Sequence, residues 1–256
     1  MSPDPPPPTS LDFVQEYAGV AARFAEAVRS ADLGAPVRAC PGWSTRDLVV
    51  HLGNTHSWAA TIVETGRSAP DPDDEPASRT ARGVAAWYLA KAEDLYRVLQ
   101  DAPPDRPCWN FASGDGVTAF WPRRQLHETT IHLVDLEEAA AAATDVSAEV
   151  AADGVDEVLT VMMLRMHRRG CHATLSAPVQ VRTLDTGHSW VVHPSRQERA
   201  DPPPPAVERG GDGVADRVEA TADVLYRTLW HRQAGPVSIG GDQARVRAFL
   251  GSRLTP

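Results

Sequence analysis

The sequence predicts an α+β fold, with an N-terminal antiparallel helical bundle followed by a small C-terminal α/β domain. Residues 11–169 contain five segments whose apolar side chains recur at helical spacing. After Gly170 the pattern changes to short alternating or β-branched runs, and Pro and Gly cluster between the segments rather than within them. A chain of 256 residues, 42% of them hydrophobic, can build two such cores. The expected boundaries are a disordered Pro-rich arm over 1–10, the bundle over 11–170 and the α/β domain over 171–256.

The first predicted helix, 11–31, aligns Val14, Tyr17, Ala18, Ala21, Phe24 and Val28 on one face. The second, 44–66, opens on Ser44 with Asp47 three residues later, the form of a capping box, and carries Leu48, Leu52, Thr55, Ala59 and Ile62 on one stripe. His51 lies within that stripe. Helices over 78–100, 118–143 and 147–169 complete an up-and-down bundle, with Met162, Met163 and Met166 as core. Beyond Gly170, strands over 179–184 and 188–193 flank a Thr186-Gly187 turn and read as a hairpin. A strand over 215–219, a helix over 221–232, a strand over 237–239 and a helix over 242–250 follow, and 202–213 reads as a flexible Pro/Gly stretch.

Acidic residues outnumber basic ones, 34 to 25, for a net charge of −9, the wrong sign for covering phosphates. Nucleic acid and anionic membrane are therefore not expected partners. Cys40, Cys108 and Cys171 are widely spaced and form no CxxC, so neither a disulfide framework nor a thiolate metal site follows. No apolar run approaches a spanning length and the first ten residues lack signal-peptide character, so the expected location is cytoplasmic.

The chemistry concentrates in the fourth helix, WPRRQLHETTIHLVDLE. Glu128 and His132 stand four residues apart, about 40° around the axis, with Trp121, Leu136 and Ala139 on the same side. This polar pair is aimed into the bundle, where it needs a partner. His51, on another inward stripe, can supply one, and a His/Glu/His set holds a divalent ion such as zinc with a fourth position open. Spacing alone also allows a hydrogen-bonded core pair. The histidines of HETTIH are five apart, about 140° on the wheel, which rules out the HExxH metalloprotease motif. Arg123 and Arg124 read as solvent-facing charges, His56 and His127 as non-ligands, Cys40 as packing and Trp43 as a hydrophobic staple.

The stretch CPGWSTRDLVVHLGN, Cys40 to Asn54, resembles the P-x-W-[ST]-x-x-D-L-x-x-H-L signature of the mycothiol-dependent maleylpyruvate isomerase family, a branch of the DinB-like metal-binding bundles. HETTIHLVDLE is similar to that family's Glu-x-x-x-His followed by Asp, and Trp230 to Arg232 with Gly241-Asp242 match its C-terminal pattern. The resemblance implies metal ligands at His51, Glu128 and His132, with Asp135 supporting them or making a helix contact. It further implies a C-terminal domain that covers the pocket, Arg232 as an anion contact in catalysis, and mycothiol as cofactor or co-substrate.

Activated as thiolate, mycothiol's sulfur would add to a cis-configured conjugated alkene and leave again after rotation, which is isomerisation. It could instead remain attached to an electrophile, which is S-transfer. A noncatalytic metal- or ligand-binding protein on the same bundle is the alternative. The sequence leaves the electrophile, the metal and the oligomeric state open.

Overall fold

The computed structural model describes residues 10–195 and 203–256. The proline arm expected over 1–10 lies, apart from Ser10, outside the described residues, as does Pro202 of the expected flexible stretch. The chain divides into two units, Leu11–Thr144 and Asp145–Pro256.

The first unit is a four-helix bundle of α1 (Phe13–Val28), α2 (Thr45–Thr65), α3 (Ala81–Asp101) and α4 (Phe120–Ala139). Each start has a local cause. Asp12 caps α1 by accepting from the Val14 and Gln15 amides, and Thr80 caps α3 through the Gly83 amide. The Ser44–Asp47 capping box forms as the sequence indicated, and α2 stops at Gly66, whose φ of 70° is the left-handed conformation that releases a chain from a helix. No side chain caps α4. It carries Pro122 in its first turn, where a missing N–H leaves no intrahelical bond unmade.

Helices α1 and α2 each pack against both α3 and α4. The centre is filled by Tyr17, Phe24, Leu48, Leu52, Tyr88, Leu95 and Leu126, all fully buried. Helix α4 is buried nearly all round: Arg124, Gln125, His127, Thr129, Thr130, His132 and Asp135 are hidden alongside its apolar residues. Thr129 and Thr130 return their hydroxyls to the Gln125 and Leu126 carbonyls at 2.7 and 2.8 Å, so their burial costs little.

The second unit begins with a continuous helical run, α5 (Ala148–Glu157), a π-helical turn over Val158–Met162, and α6 (Met163–Arg168). The Met163 amide reaches back five residues to the Val158 carbonyl. This run fulfils the helix expected over 147–169, but it belongs to the second unit and packs against α7 (Ala222–Leu229). The division therefore falls at Thr144/Asp145 and not near Gly170. Helical periodicity marks an apolar face without saying what covers it.

Strands β1 (Val179–Thr183), β2 (Ser189–His193), β3 (Ala206–Arg209), β4 (Arg217–Ala220) and β5 (Ser238–Gly240) form one mixed sheet in the order β3-β2-β1-β4-β5. The β1–β2 hairpin pairs Val181 with Trp190, and β1–β4 is the parallel pair. Strand β3 lies inside the stretch expected to be flexible. Its AVER pairs antiparallel with β2, which four residues between Pro and Gly clusters did not advertise. The buried Asp156 takes two bonds from the Arg209 guanidinium, 2.5 and 2.8 Å, and one from the Trp190 indole at 2.8 Å. Those contacts pin β2 and β3 to the helical run. Helix α8 (Gln243–Leu250), capped by Asp242, follows β5.

Candidate metal centre

Three contacts set the register of α2 against α4. His51 faces Glu128, His56 faces Gln125 at 2.8 Å, and the Trp58 and Trp121 rings meet at 5.3 Å. Numbers rise along α2 as they fall along α4, so the two helices run antiparallel. Side chains four apart on α4 then face a single position on α2, and the three sequence-predicted ligands come together.

The Glu128 Oε1 lies 3.4 Å from His51 Nε2 and 3.4 Å from His132 Nε2, and all three ligand atoms fall within 4.8 Å of one another. Donors about 2.0–2.1 Å from a tetrahedral ion sit about 3.3–3.4 Å apart, so the donor set fits a divalent ion with little movement. Side-chain exposure falls from 38% at His51 to 17% at Glu128 and 9% at His132. The cluster therefore has a closed floor at His132 and an approach from the His51 side.

Each donor is held from behind. His132 Nδ1 donates to Asp135 Oδ2 at 2.9 Å, which aims Nε2 at Glu128; Asp135 is itself almost fully buried. Arg124 donates to Glu128 Oε2 at 2.9 Å, leaving Oε1 to face the histidines. The Trp43 ring lies against the His51 ring, centroids 4.8 Å apart, and the His51 and His132 rings meet edge-on at 5.2 Å.

Burial opposes charge here, and hydrogen bonds overcome it. For His132 burial works downward, but the bonds to Asp135 and Glu128, with the charges of both carboxylates, lift its pKa to about 9. For Glu128 burial works upward, yet His132, His51 and the Arg124 charge hold it well below the usual carboxylate range. Without an ion, the site is an imidazolium clasped between two carboxylates.

Several residues depart from their sequence reading. Arg124 is 2% exposed and paired with Glu128, not solvent-facing as expected; the signal was its position four residues before Glu128, the spacing of a helical ion pair. Arg123 is partly exposed. Cys40, expected to be packing, brings Sγ to 3.9 Å from Asp135 Oδ2, and Trp43 lies on a candidate ligand ring. His56, expected only to be a non-ligand, is a fully buried core residue. Its ring nitrogens meet Gln125 Oε1 and the Tyr88 hydroxyl, and burial lowers its pKa to about 4 despite Gln125. His127 is buried and outside the donor clusters. Arg232 follows α7, half-buried, donating to the Trp230 carbonyl at 2.8 Å with its guanidinium 5.6 Å from the Trp230 ring centre.

The first unit is thus a four-helix bundle with an inward His/Glu/His set on two antiparallel helices, donors of the kind from which bundle proteins build metal sites. Residues 14–137, just under half of the chain, match the model of the mycothiol maleylpyruvate isomerase N-terminal domain. A crystal structure of the mycothiol-dependent maleylpyruvate isomerase aligns with a TM-score of 0.60 at 12% identity, covering 89% of this chain and 91% of that one. A crystal structure of a histidine-to-alanine mutant of that isomerase gives 0.61 at 12% identity over the same shares. At this identity the likeness is one of fold. No curated protein sequence matches the chain. No helix among the described residues is long and apolar enough to cross a membrane.

Proposed function

We propose that the chain is a metal-dependent enzyme of low-molecular-weight thiol chemistry, using mycothiol for isomerisation of a maleylpyruvate-like substrate or for transfer of the thiol to an electrophile. The observation that carries this reading is the single carboxylate oxygen of Glu128 set 3.4 Å from both His51 Nε2 and His132 Nε2. The family of residues 14–137 supplies the thiol.

His51, Glu128 and His132 would hold the divalent ion, zinc by the nature of the donors. Bound there, the ion offers a positive charge and an open position that favour the thiolate form of a thiol over the thiol. The protein's own part is orientation. Asp135 fixes the tautomer and tilt of His132, Arg124 turns Glu128 so that one oxygen faces the pocket, and the Trp43 ring packs against one side of the His51 ring. Arg232, steadied by the Trp230 carbonyl and ring, is the proposed contact for an anionic substrate or cofactor group.

Elemental analysis of the purified protein tests the first step, with about one divalent ion per chain expected and most of it lost in His51→Ala. Cobalt substitution tests the second: mycothiol should add a thiolate-to-metal absorption, glutathione less of one. Full occupancy in His51→Ala would remove the three-ligand site. Thiol binding without turnover of any electrophile would move the chain to the noncatalytic alternative.

A further inference from the structure

The His132 ring serves two donor clusters at once. Its Nε2 faces Glu128 and His51, while its Nδ1 faces Asp135, beside which lies the Cys40 thiol. Cys40, His132 and Asp135 each present a ligand atom within 4.8 Å of the other two. We propose that these three side chains form a second cation position, for a soft divalent ion such as cadmium or excess zinc, sharing His132 as a bridging imidazole with the first.

The distances favour it. A tetrahedral ion bound to sulfur at about 2.3 Å and to oxygen at about 2.1 Å separates the two donors by about 3.6 Å. Cys40 Sγ and Asp135 Oδ2 stand at 3.9 Å. Nδ1 and Oδ2, hydrogen-bonded at 2.9 Å, must part by about half an ångström to reach the N–O spacing around an ion. The ring itself need not turn, because each nitrogen already points at its own cluster.

Charge balance favours it too. With an ion on each nitrogen the ring becomes imidazolate. Together with Glu128, Asp135 and the Cys40 thiolate it supplies four negative charges against four on the two ions and one on Arg124, which pairs with Glu128, so the burial of Asp135 is not a barrier. The sulfur selects zinc or cadmium over magnesium or calcium, whose preferred donors are oxygens. Cys40 is half-buried, so an arriving ion meets the thiol before the hidden carboxylate. The ion would displace the Nδ1 proton and, with it, the bond that aims His132 at the first position. Excess thiophilic metal would thereby act as an inhibitor of the site.

The shared ring ties this proposal to the three-ligand reading above, and the test separates the two. Metal-free full-length protein is titrated with Cd2+ alone, following sulfur-to-cadmium charge-transfer absorption and bound ion by equilibrium dialysis. The wild type should take up about two ions per chain, with the thiolate band accompanying one of them. Cys40→Ser should bind one ion without the band. His51→Ala should lose an ion yet keep the band, and His132→Ala should weaken both.

A band that survives Cys40→Ser belongs to Cys108 or Cys171 and overturns the proposal, as does a second ion retained by Cys40→Ser or a wild type that binds one ion without a band. If His51→Ala binds as the wild type does while Cys40→Ser loses an ion, the Cys40 position stands and the three-ligand reading falls. Cys40→Ala, checked by thermal unfolding, guards against a serine-specific effect.

Discussion

Metal uptake should release a proton from His132 and strengthen steeply with pH up to about 9. Lifted to about 9 by Asp135 and Glu128 against the pull of burial, the ring of the metal-free protein is about 99% imidazolium at pH 7. An ion requires the Nε2 lone pair, so binding must expel that proton. The apparent affinity therefore carries a factor that grows about tenfold from pH 7 to 8 and about fiftyfold from 7 to 9, then levels off. Calorimetric titration of zinc in two buffers of equal pH but different ionisation enthalpy reads the protons released directly. At least about one proton per ion is expected at pH 7. Asp135→Asn removes one of the two carboxylates that hold the proton, so its affinity should climb at lower pH and its release at pH 8 should fall below the wild type's. An affinity that is flat between pH 7 and 9, or a release well under one proton at pH 7, would refute the picture of an imidazolium clasped between two carboxylates.

Three further outcomes follow from the same geometry. Arg124→Met takes the guanidinium from a buried carboxylate and should destabilise the metal-free protein by about 3 kcal/mol. Zinc should narrow that loss by supplying the missing positive charge, and an equal loss with and without zinc in urea unfolding would count against the Arg124 role. Metal-free stability should fall on both sides of neutrality. His132, raised to about 9, gives stability that is complete below about pH 6.5 and lost as pH climbs to about 9. His56, lowered to about 4, costs stability as pH falls from about 6.5 toward 4; each limb is of order 3 kcal/mol, and His56→Gln should flatten the acid limb of thermal midpoint against pH. Arg232→Ala should reduce kcat/KM for an anionic substrate by roughly tenfold while leaving metal content unchanged, and unaltered kinetics would remove Arg232 from the site.

What the sequence made legible was whatever repeats along one helix. The Ser44–Asp47 box, the inward stripe through His51 and the four-residue step from Glu128 to His132 are properties of single helices, and each appears where periodicity put it. The antiparallel register that brings His51 to Glu128 is a relation between helices, and no single stripe contains it. The same limit explains the misplaced boundary. The apolar face of the run from Ala148 to Arg168 suits a bundle neighbour or α7 equally well, and only packing decides. Arg124 escaped notice because its angle was measured from His132, about 80° away, when its partner was Glu128, four residues on. Cys40 escaped because it lies in the loop before α2, where no period links it to Asp135. The inward donor cluster was thus readable, while the groups that orient and charge it were not: a donor must face inward on its own helix, but its support need only reach it from anywhere nearby. Variants of Arg124, Asp135 and Cys40 therefore test the structure more sharply than variants of the three candidate ligands, which the sequence alone already nominates.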